Sequence, residues 1–253
     1  MSRRYSLQDR QWEEIEPLLP GREGTVGRTA KDNRLFVEAV LYRYRAGIPW
    51  RDLPERFGDF RVIHTRFTRW SKTGVWKKVF EVLAADADND YAMIDATIVR
   101  AHQHSAGAKG SSKEDEDIGR SRGGLSTKIH AVVDGQGKPT HFFLTGGQAC
   151  DLDGADVLLP QIEAAAVLAD KAYDAQARVI DPLVERGIDV VIPPKKNRKE
   201  QRSYDQELYK CRHRIENFFA KLKQYRGIAT RYDKRGVNFL GGVYLVAAII
   251  CLS

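Results

Sequence analysis

The sequence has little that would staple or anchor it. Its three cysteines, Cys150, Cys211 and Cys251, are odd in number, far apart and form no Cys-x-x-Cys pair. Neither a disulfide framework nor a zinc site is expected, and a reducing cytoplasm fits. The first residues, Met1-Ser2-Arg3-Arg4-Tyr5, lead into a polar helix without an apolar signal core. The one long apolar run, Val237 to Leu252, is broken by Asn238, Gly241 and Gly242. A spanning helix needs ~20 predominantly apolar residues, so this run reads as a buried C-terminal helix and no membrane partner is expected. Internal repeats are absent.

What is present is charge, unevenly placed. The 253 residues hold 41 Lys/Arg and 34 Asp/Glu, a net of +7. Residues 1–80 carry 17 basic and 10 acidic side chains, residues 81–170 carry 7 and 15, and residues 171–253 carry 17 and 9. An acidic middle between two basic flanks fits two polyanion-binding surfaces around a carboxylate-rich centre.

The first eighty residues read as helices. Ser6 with Asp9 is a plausible cap before Trp12 and Ile15, with Pro20-Gly21 as the stop. A helix is expected over residues 31–45, a short one over 51–57 and another over 60–71, the last pair with helix-turn-helix proportions. The last helix interleaves Arg61, Arg66 and Arg69 with Val62, Ile63, Phe67 and Trp70. It can pack one face inward and offer arginines to phosphates or base edges; a solvated basic face is the alternative.

From residue 90 the texture changes. Residues 91–99 alternate as a strand, with Ala92, Ile94, Ala96 and Ile98 on one side and Met93, Asp95 and Thr97 on the other. Residues 105–122 read as a mobile loop. Strands over 127–133 and 140–145 flank Asp134-Gly135-Gln136-Gly137, a hairpin signal. A helix (154–165), a strand (167–169), a helix (175–186), a strand (188–192), a Lys/Arg loop and a long helix (205–225) follow. The result is an α/β fold with a mixed sheet behind an all-α N-terminal part. Domains are expected at 1–86 and 87–253, with the boundary near residues 84–90.

Three acidic residues occupy telling places. Asp95 lies within a strand, Asp170 ends one, and Glu216 lies in the late helix. Ligands of α/β sheets bind at carboxyl ends of strands. Three carboxylates together repel unless cations neutralise them, and hard divalent ions take such oxygens. Each acid taken alone reads rather as a cap, a turn or a surface residue. On an α-helix of ~100° per residue, Tyr209, Arg212, Glu216 and Lys223 fall in a stripe about 60° wide, beside an apolar face of Ile215, Phe218 and Leu222.

That spacing, Tyr209-x2-Arg212-x3-Glu216-x6-Lys223, resembles the signature of bacterial insertion-sequence DDE transposases, and more closely their insertion-sequence-five-like branch. Supporting stretches are Gly47 to Pro54, Ile94-Asp95-Ala96-Thr97, Ala101 to Ala108, Gly119 to Gly124 with Thr127-Lys128, Asp170-Lys171-Ala172-Tyr173-Asp174, Ile192 to Lys195, and Ala229 to Lys234. Ala172 stands where the family usually has Gly. The resemblance implies a ribonuclease-H-like core in which Asp95, Asp170 and Glu216 are catalytic and hold Mg²⁺ or Mn²⁺, two ions in all. It implies that Tyr209, Arg212 and Lys223 contact transposon-end DNA, and that terminal inverted repeats and target DNA are the partners. A homodimer on paired ends, in the bacterial cytoplasm with the nucleoid, is the family expectation. Lys195, Lys196 and Arg198, in a basic loop, are further candidates for phosphate contact. His102 and His104 read as polar surface rather than metal ligands. A relative that binds without cutting, and a nuclease without end recognition, remain the alternatives.

Overall fold

The computed structural model describes residues 5–22, 24, 29–107, 116–199 and 201–253. The chain forms two compact units. One comprises residues 1–83, 101–116 and 222–253, and the other residues 84–100 and 117–221. The chain first passes from one unit to the other at residues 83–84 and then returns: residues 222–253 join the helices of the first unit rather than the sheet. The reason is the C-terminal helix, which is apolar nearly all round and must be buried on every side.

In the helical unit, α1 is Asp9–Ile15, α2 Asn33–Ala46, α3 Phe60–Lys72 and α4 Val75–Leu83. The cap of α1 differs from expectation, since Gln8 and Gln11 bond reciprocally in place of Ser6 and Asp9. Helix α2 ends at Gly47 (φ 69), whose missing Cβ leaves room for Arg226. The short helix expected over 51–57 is instead two single 3₁₀ turns, Trp50–Asp52 and Glu55–Phe57. Pro54 sits between them without an N–H to donate, so no continuous helix forms, and the helix-turn-helix pair is not built. Helix α4 lies outside the expected elements, although Val75, Trp76, Val79 and Phe80 carry its signal.

Phe36, Trp70 and Trp76 form an aromatic core, with Phe36 edge-on to Trp70 at 5.1 Å. Arg43, over the rings of Tyr44 and Trp50, forms a buried ion pair with Asp233 at 2.8 Å, and the Tyr44 hydroxyl donates to the same carboxylate at 3.0 Å. The C-terminal helix, Gly236–Cys251, is buried as expected. The glycines that break its apolar run are its points of closest approach: a Cβ at Gly241 would meet Ser71 Oγ at 2.4 Å, and one at Gly242 would meet Tyr44 Cζ at 2.1 Å. Among the described residues no helix is long and apolar enough to cross a membrane.

The second unit is a mixed sheet. Its strands are β1 (Tyr91–Ala101, the last residue beyond the unit), β2 (Gly119–Ser121), β3 (Gly124–Val133), β4 (Pro139–Gly146), β5 (Ala166–Leu168) and β6 (Asp189–Val191). Strand β3 pairs antiparallel with β1, β2 and β4, while β5 lies parallel between β1 and β6. On one face α5 (Asp151–Leu158) and α6 (Asp181–Glu185) cover Ile94, Val132, Val167 and Ala169. On the other, α8 (His213–Lys223), preceded by α7 (Gln206–Tyr209), sets Phe218 against Phe142 at 5.8 Å.

Several expected boundaries shift. Strand β2 lies in the stretch expected to be a mobile loop, much of which (108–115) is outside the described residues. The helix expected over 175–186 begins as a π turn, Gln176–Ile180, because Pro182 cannot donate the next α-type bond. The helix expected over 205–225 is interrupted by a 3₁₀ turn at Lys210–Arg212, where His213 Nδ1 bonds the Lys210 carbonyl at 2.8 Å. Ile98, on the same side of the strand as Ala92 and Ile94, is 46 % exposed.

Candidate active site

Two acids are placed by strand register. In the parallel pair β1–β5, Met93 lies opposite Leu168. Two residues further along each strand path stand Asp95 and Asp170, so both carboxylates project from the same face of neighbouring strand ends. Adjacent strands lie ~4.8 Å apart. Asp170 leaves the sheet at once: its backbone is extended (φ −75, ψ 172), and its Oδ1 accepts from the Ala172 N–H at 2.8 Å. That cap fixes the carboxylate's direction and tolerates alanine at residue 172.

The third acid arrives on α8. Arg212 Nη1 donates to Asp95 Oδ2 at 2.7 Å, while Nη2 bonds Glu216 one turn along the helix. One guanidinium therefore ties the late helix to the central strand. Glu216 is 57 % exposed, Asp95 only 20 %. Burial pushes the Asp95 carboxyl up from its ordinary range, and the charge of Asp170 pushes the same way. The Ala96 N–H and Arg212 oppose these effects without cancelling them. Burial works against the charge on Arg212 as well, but Asp95, Tyr209 and Glu216 outweigh it and hold the guanidinium cationic. Tyr209 packs edge-on against Tyr204 at 5.6 Å. Its hydroxyl is raised by burial and by Asp170, against the pull of Arg212.

The structure thus brings together Asp95, Asp170, Tyr209, Arg212 and Glu216. It does not close them into a cage: among the described residues no three acidic, His or Cys side chains are grouped tightly enough to enclose an ion. Arg212 stands between Asp95 and Glu216 instead. The donor set still suits a hard divalent cation, since it is all carboxylate oxygen. Burial first, then the charge of Asp170, raises Asp95, and Arg212 offsets only part of this.

Other candidates fare differently. Lys223 ends α8, where burial lowers its pKa. In the basic loop, Arg198 is committed inward. It pairs with Asp174, a carboxylate 1 % exposed that also takes Arg202 Nη1 at 3.3 Å and the Lys195 N–H at 2.8 Å. Lys196 is exposed. On α3, Arg66 lies over Phe36 and Trp70 at 4.3 and 4.4 Å and bonds Asn33. Burial, then Arg69, lowers its pKa, so it belongs to the packed side of the helix. Arg61 and Arg69 are exposed beside Val62 and Thr65, along a cleft of about 1040 Å³. His102 stacks on Tyr232 at 4.9 Å.

Sequence reasoning gave no role to Tyr173. This residue is fully buried, and its hydroxyl has no hydrogen-bond partner among the described residues. Burial pushes the phenol far up, and the charges of Asp95, Asp151 and Asp170 add to it. Its place after Asp170-Lys171-Ala172 was the only sequence signal.

Comparison with known proteins decides the family. Residues 88–251 match the family described as "Transposase DDE domain", and residues 7–80 match "Putative transposase of IS4/5 family". The chain belongs to the DDE transposase family. The transposase is 39 % identical over 131 residues to the "Putative transposase for insertion sequence element IS6501" of Brucella ovis, covering 51 % of this chain and 99 % of that one. It is 50 % identical over 105 residues to "Uncharacterized protein y4sN" of Sinorhizobium fredii, covering 41 % and 82 %. Among solved structures, the piggyBac transposase of a synaptic complex with hairpin DNA matches with a TM-score of 0.51 at 11 % identity, over 96 % of this chain and 71 % of that one. That likeness supports the ribonuclease-H-like fold. The two sequence matches divide the chain near the expected boundary, whereas the compact units place residues 222–253 with the helices.

Proposed function

We propose that this transposase cuts and rejoins DNA at Asp95, Asp170 and Glu216, with Tyr209, Arg212 and Lys223 contacting the DNA beside them. The observation that carries the reading is the register of β1 and β5. It sets two carboxylates level at neighbouring strand ends, and Arg212 ties Asp95 to the helix that bears Glu216.

Asp95 and Asp170 would hold divalent ions, Mg²⁺ or Mn²⁺ and two in number, with Glu216 as the third ligand. When bound, such ions activate the attacking oxygen and stabilise the leaving one in phosphodiester transfer. The chain's own groups do the rest. The Ala172 N–H holds Asp170 in direction, and Arg212 opposes the effect of burial on Asp95. Arg212 and Tyr209 supply positive charge and a hydroxyl where a phosphate gathers charge in the transition state. In the helical unit, the exposed face of α3 with Arg61 and Arg69 reads the terminal inverted repeats, and Arg66 supports that face from behind. Lys195 and Lys196 add phosphate contacts. The active assembly is a homodimer on paired ends in the cytoplasm, and both the repeats and the target are duplex DNA.

The test is cleavage of a labelled duplex carrying the element's terminal repeat, with Mg²⁺ or Mn²⁺ and with EDTA. Metal-dependent nicking at the 3′ end of the repeat, lost in Asp95→Asn, Asp170→Asn and Glu216→Gln while binding persists, supports the reading. Near-normal cleavage in any one variant removes that residue from the site.

A further inference from the structure

A second basic site lies at the β2–β3 end of the catalytic sheet, where Ile98 and Arg100 face away from Asp95 while Arg120, opposite Leu125, leaves β2 on the Asp95 side. Residues along β1 alternate faces, and the β1–β3 register runs unbroken from Met93 to Arg100. Asp95 therefore faces α8, whereas Ile98 and Arg100 face the other way. Arg100 lies five residues beyond Asp95, ~17 Å along the strand at ~3.3 Å per residue. There a cavity of about 660 Å³ opens, lined by Ile98, Arg100, Arg120, Arg122, Ser126 and Gln148 among others. Its described lining includes three arginines and no carboxylate. All three arginines are exposed, and among the described residues none has a hydrogen-bond or ion-pair partner.

The cavity is built, not a chance scatter of surface charge. Ser121 and Gly124 pair across a two-residue turn, Arg122–Gly123, which projects Arg122 from the end of the β2–β3 hairpin. Ser121 and Ser126 bond each other at 2.8 Å beneath it. Gln148 lies so close to the β2 backbone that a Cβ on Gly119 would meet its Oε1 at 1.5 Å, and one on Gly147 would meet Ser126 Oγ at 2.0 Å. The glycines thus let the backbone close up and form the floor beneath the arginines.

We propose that this cavity binds the phosphodiester backbone of a second DNA segment, distinct from the one seated at the carboxylates. Three unpaired guanidiniums are suited to phosphate oxygens, and the exposed Ile98 offers a patch for deoxyribose. Ile98 and Arg100 face away from Asp95, and Arg100 lies ~17 Å along β1 from it, so the cavity serves a segment other than the one at the carboxylates. The inference rests on the transposase reading, because strand transfer needs two DNA partners, but its test does not depend on cleavage.

The probe is a short mixed-sequence duplex. Its affinity is followed by fluorescence anisotropy between about 50 and 200 mM salt, and its stoichiometry by sedimentation velocity. The wild-type chain is compared with Arg100→Gln/Arg120→Gln/Arg122→Gln and with the matching triple lysine variant. The wild type is expected to take up a second duplex per chain as DNA is raised. The glutamine variant should stop at one, with a log–log salt slope shallower by roughly 2 to 3, since each lost phosphate contact removes ~0.9. The lysine variant should keep most of the slope. Unchanged slope and stoichiometry overturn the proposal. So does loss of both duplexes, which would make the cavity part of the first site, and so does displacement by pyrophosphate at equal phosphate concentration, which would make it a small-anion site. Failure here leaves the Asp95→Asn cleavage test intact, and failure of that test leaves this one readable.

Discussion

Asp174 offers the sharpest structural prediction. Its carboxylate is 1 % exposed and takes Arg198, Arg202 and the Lys195 N–H, pinning the basic segment after β6. Asp174→Asn keeps the shape and one acceptor oxygen but removes the charge, leaving two guanidiniums beside a neutral amide. Breaking a buried pair from one side costs ~3–5 kcal/mol. Arg198 and Arg202 are 20 % and 23 % exposed, so each can turn partly to water, and the lower end, ~3 kcal/mol, is expected. At ~2–4 °C per kcal/mol for a chain of this size, the midpoint should fall by about 6–12 °C. Thermal unfolding by circular dichroism reads this directly. Adding Arg198→Met should cost less than the sum of the single changes by at least ~0.5 kcal/mol, because the two share one contact. A shift below ~2 °C, or strict additivity, would show that the ion cluster does not hold the loop and would refute the reasoning.

Arg212→Gln removes the cation that opposes burial at Asp95, so the carboxyl should rise further and the acid limb of metal-dependent cleavage should move to higher pH; an unmoved limb would detach Arg212 from Asp95. His130 is buried, bonds Thr145 at 2.8 Å, and is lowered to about 4 by burial and by Lys128. A depressed histidine stabilises the fold above its unfolded pKa of ~6.5, and that stability is lost as pH falls towards 4, by up to ~3 kcal/mol. Urea midpoints should drop over this window and drop less in His130→Asn; parallel curves would count against it. Arg61→Gln with Arg69→Gln should flatten the salt dependence of terminal-repeat binding by about 1.8 in log–log slope. Arg66→Met should lower the thermal midpoint with little change in that slope, and the reverse pattern would exchange their roles.

How much of this was legible in the sequence depended on whether a feature was local. The alternation around Asp95, the Asp-Gly hairpin and the apolar C-terminal run are short-range signals, and their elements formed. The short helix at 51–57 failed for a local reason too, since Pro54 sat in plain view and outweighed the surrounding helical pattern. Arg66 and Arg69 could not be told apart by spacing, because both flank the apolar stripe of α3; only the aromatic rings of Phe36 and Trp70 decide which is covered.

The site itself was readable as a list of residues but not as an arrangement. Tyr209, Arg212 and Glu216 fall on one side of an ideal helix, yet the real segment carries a 3₁₀ turn at Lys210–Arg212. Arg212 reaches both Asp95 and Glu216 all the same. The wheel could not show that reach, because it depends on a strand more than a hundred residues earlier in the chain. The same non-local logic explains why residues 222–253 leave the sheet unit although their sequence follows the catalytic helix without a break. A helix that is apolar all round goes where enough apolar surface surrounds it, and the aromatic faces of α2, α3 and α4 supply that surface. Truncation near residue 221 would therefore remove the core of the helical unit. The N-terminal 83 residues expressed alone should then expose Phe80, Trp76 and Tyr44 and bind a hydrophobic dye, whereas a cooperative thermal transition in that fragment would show that it folds without the C-terminal helix.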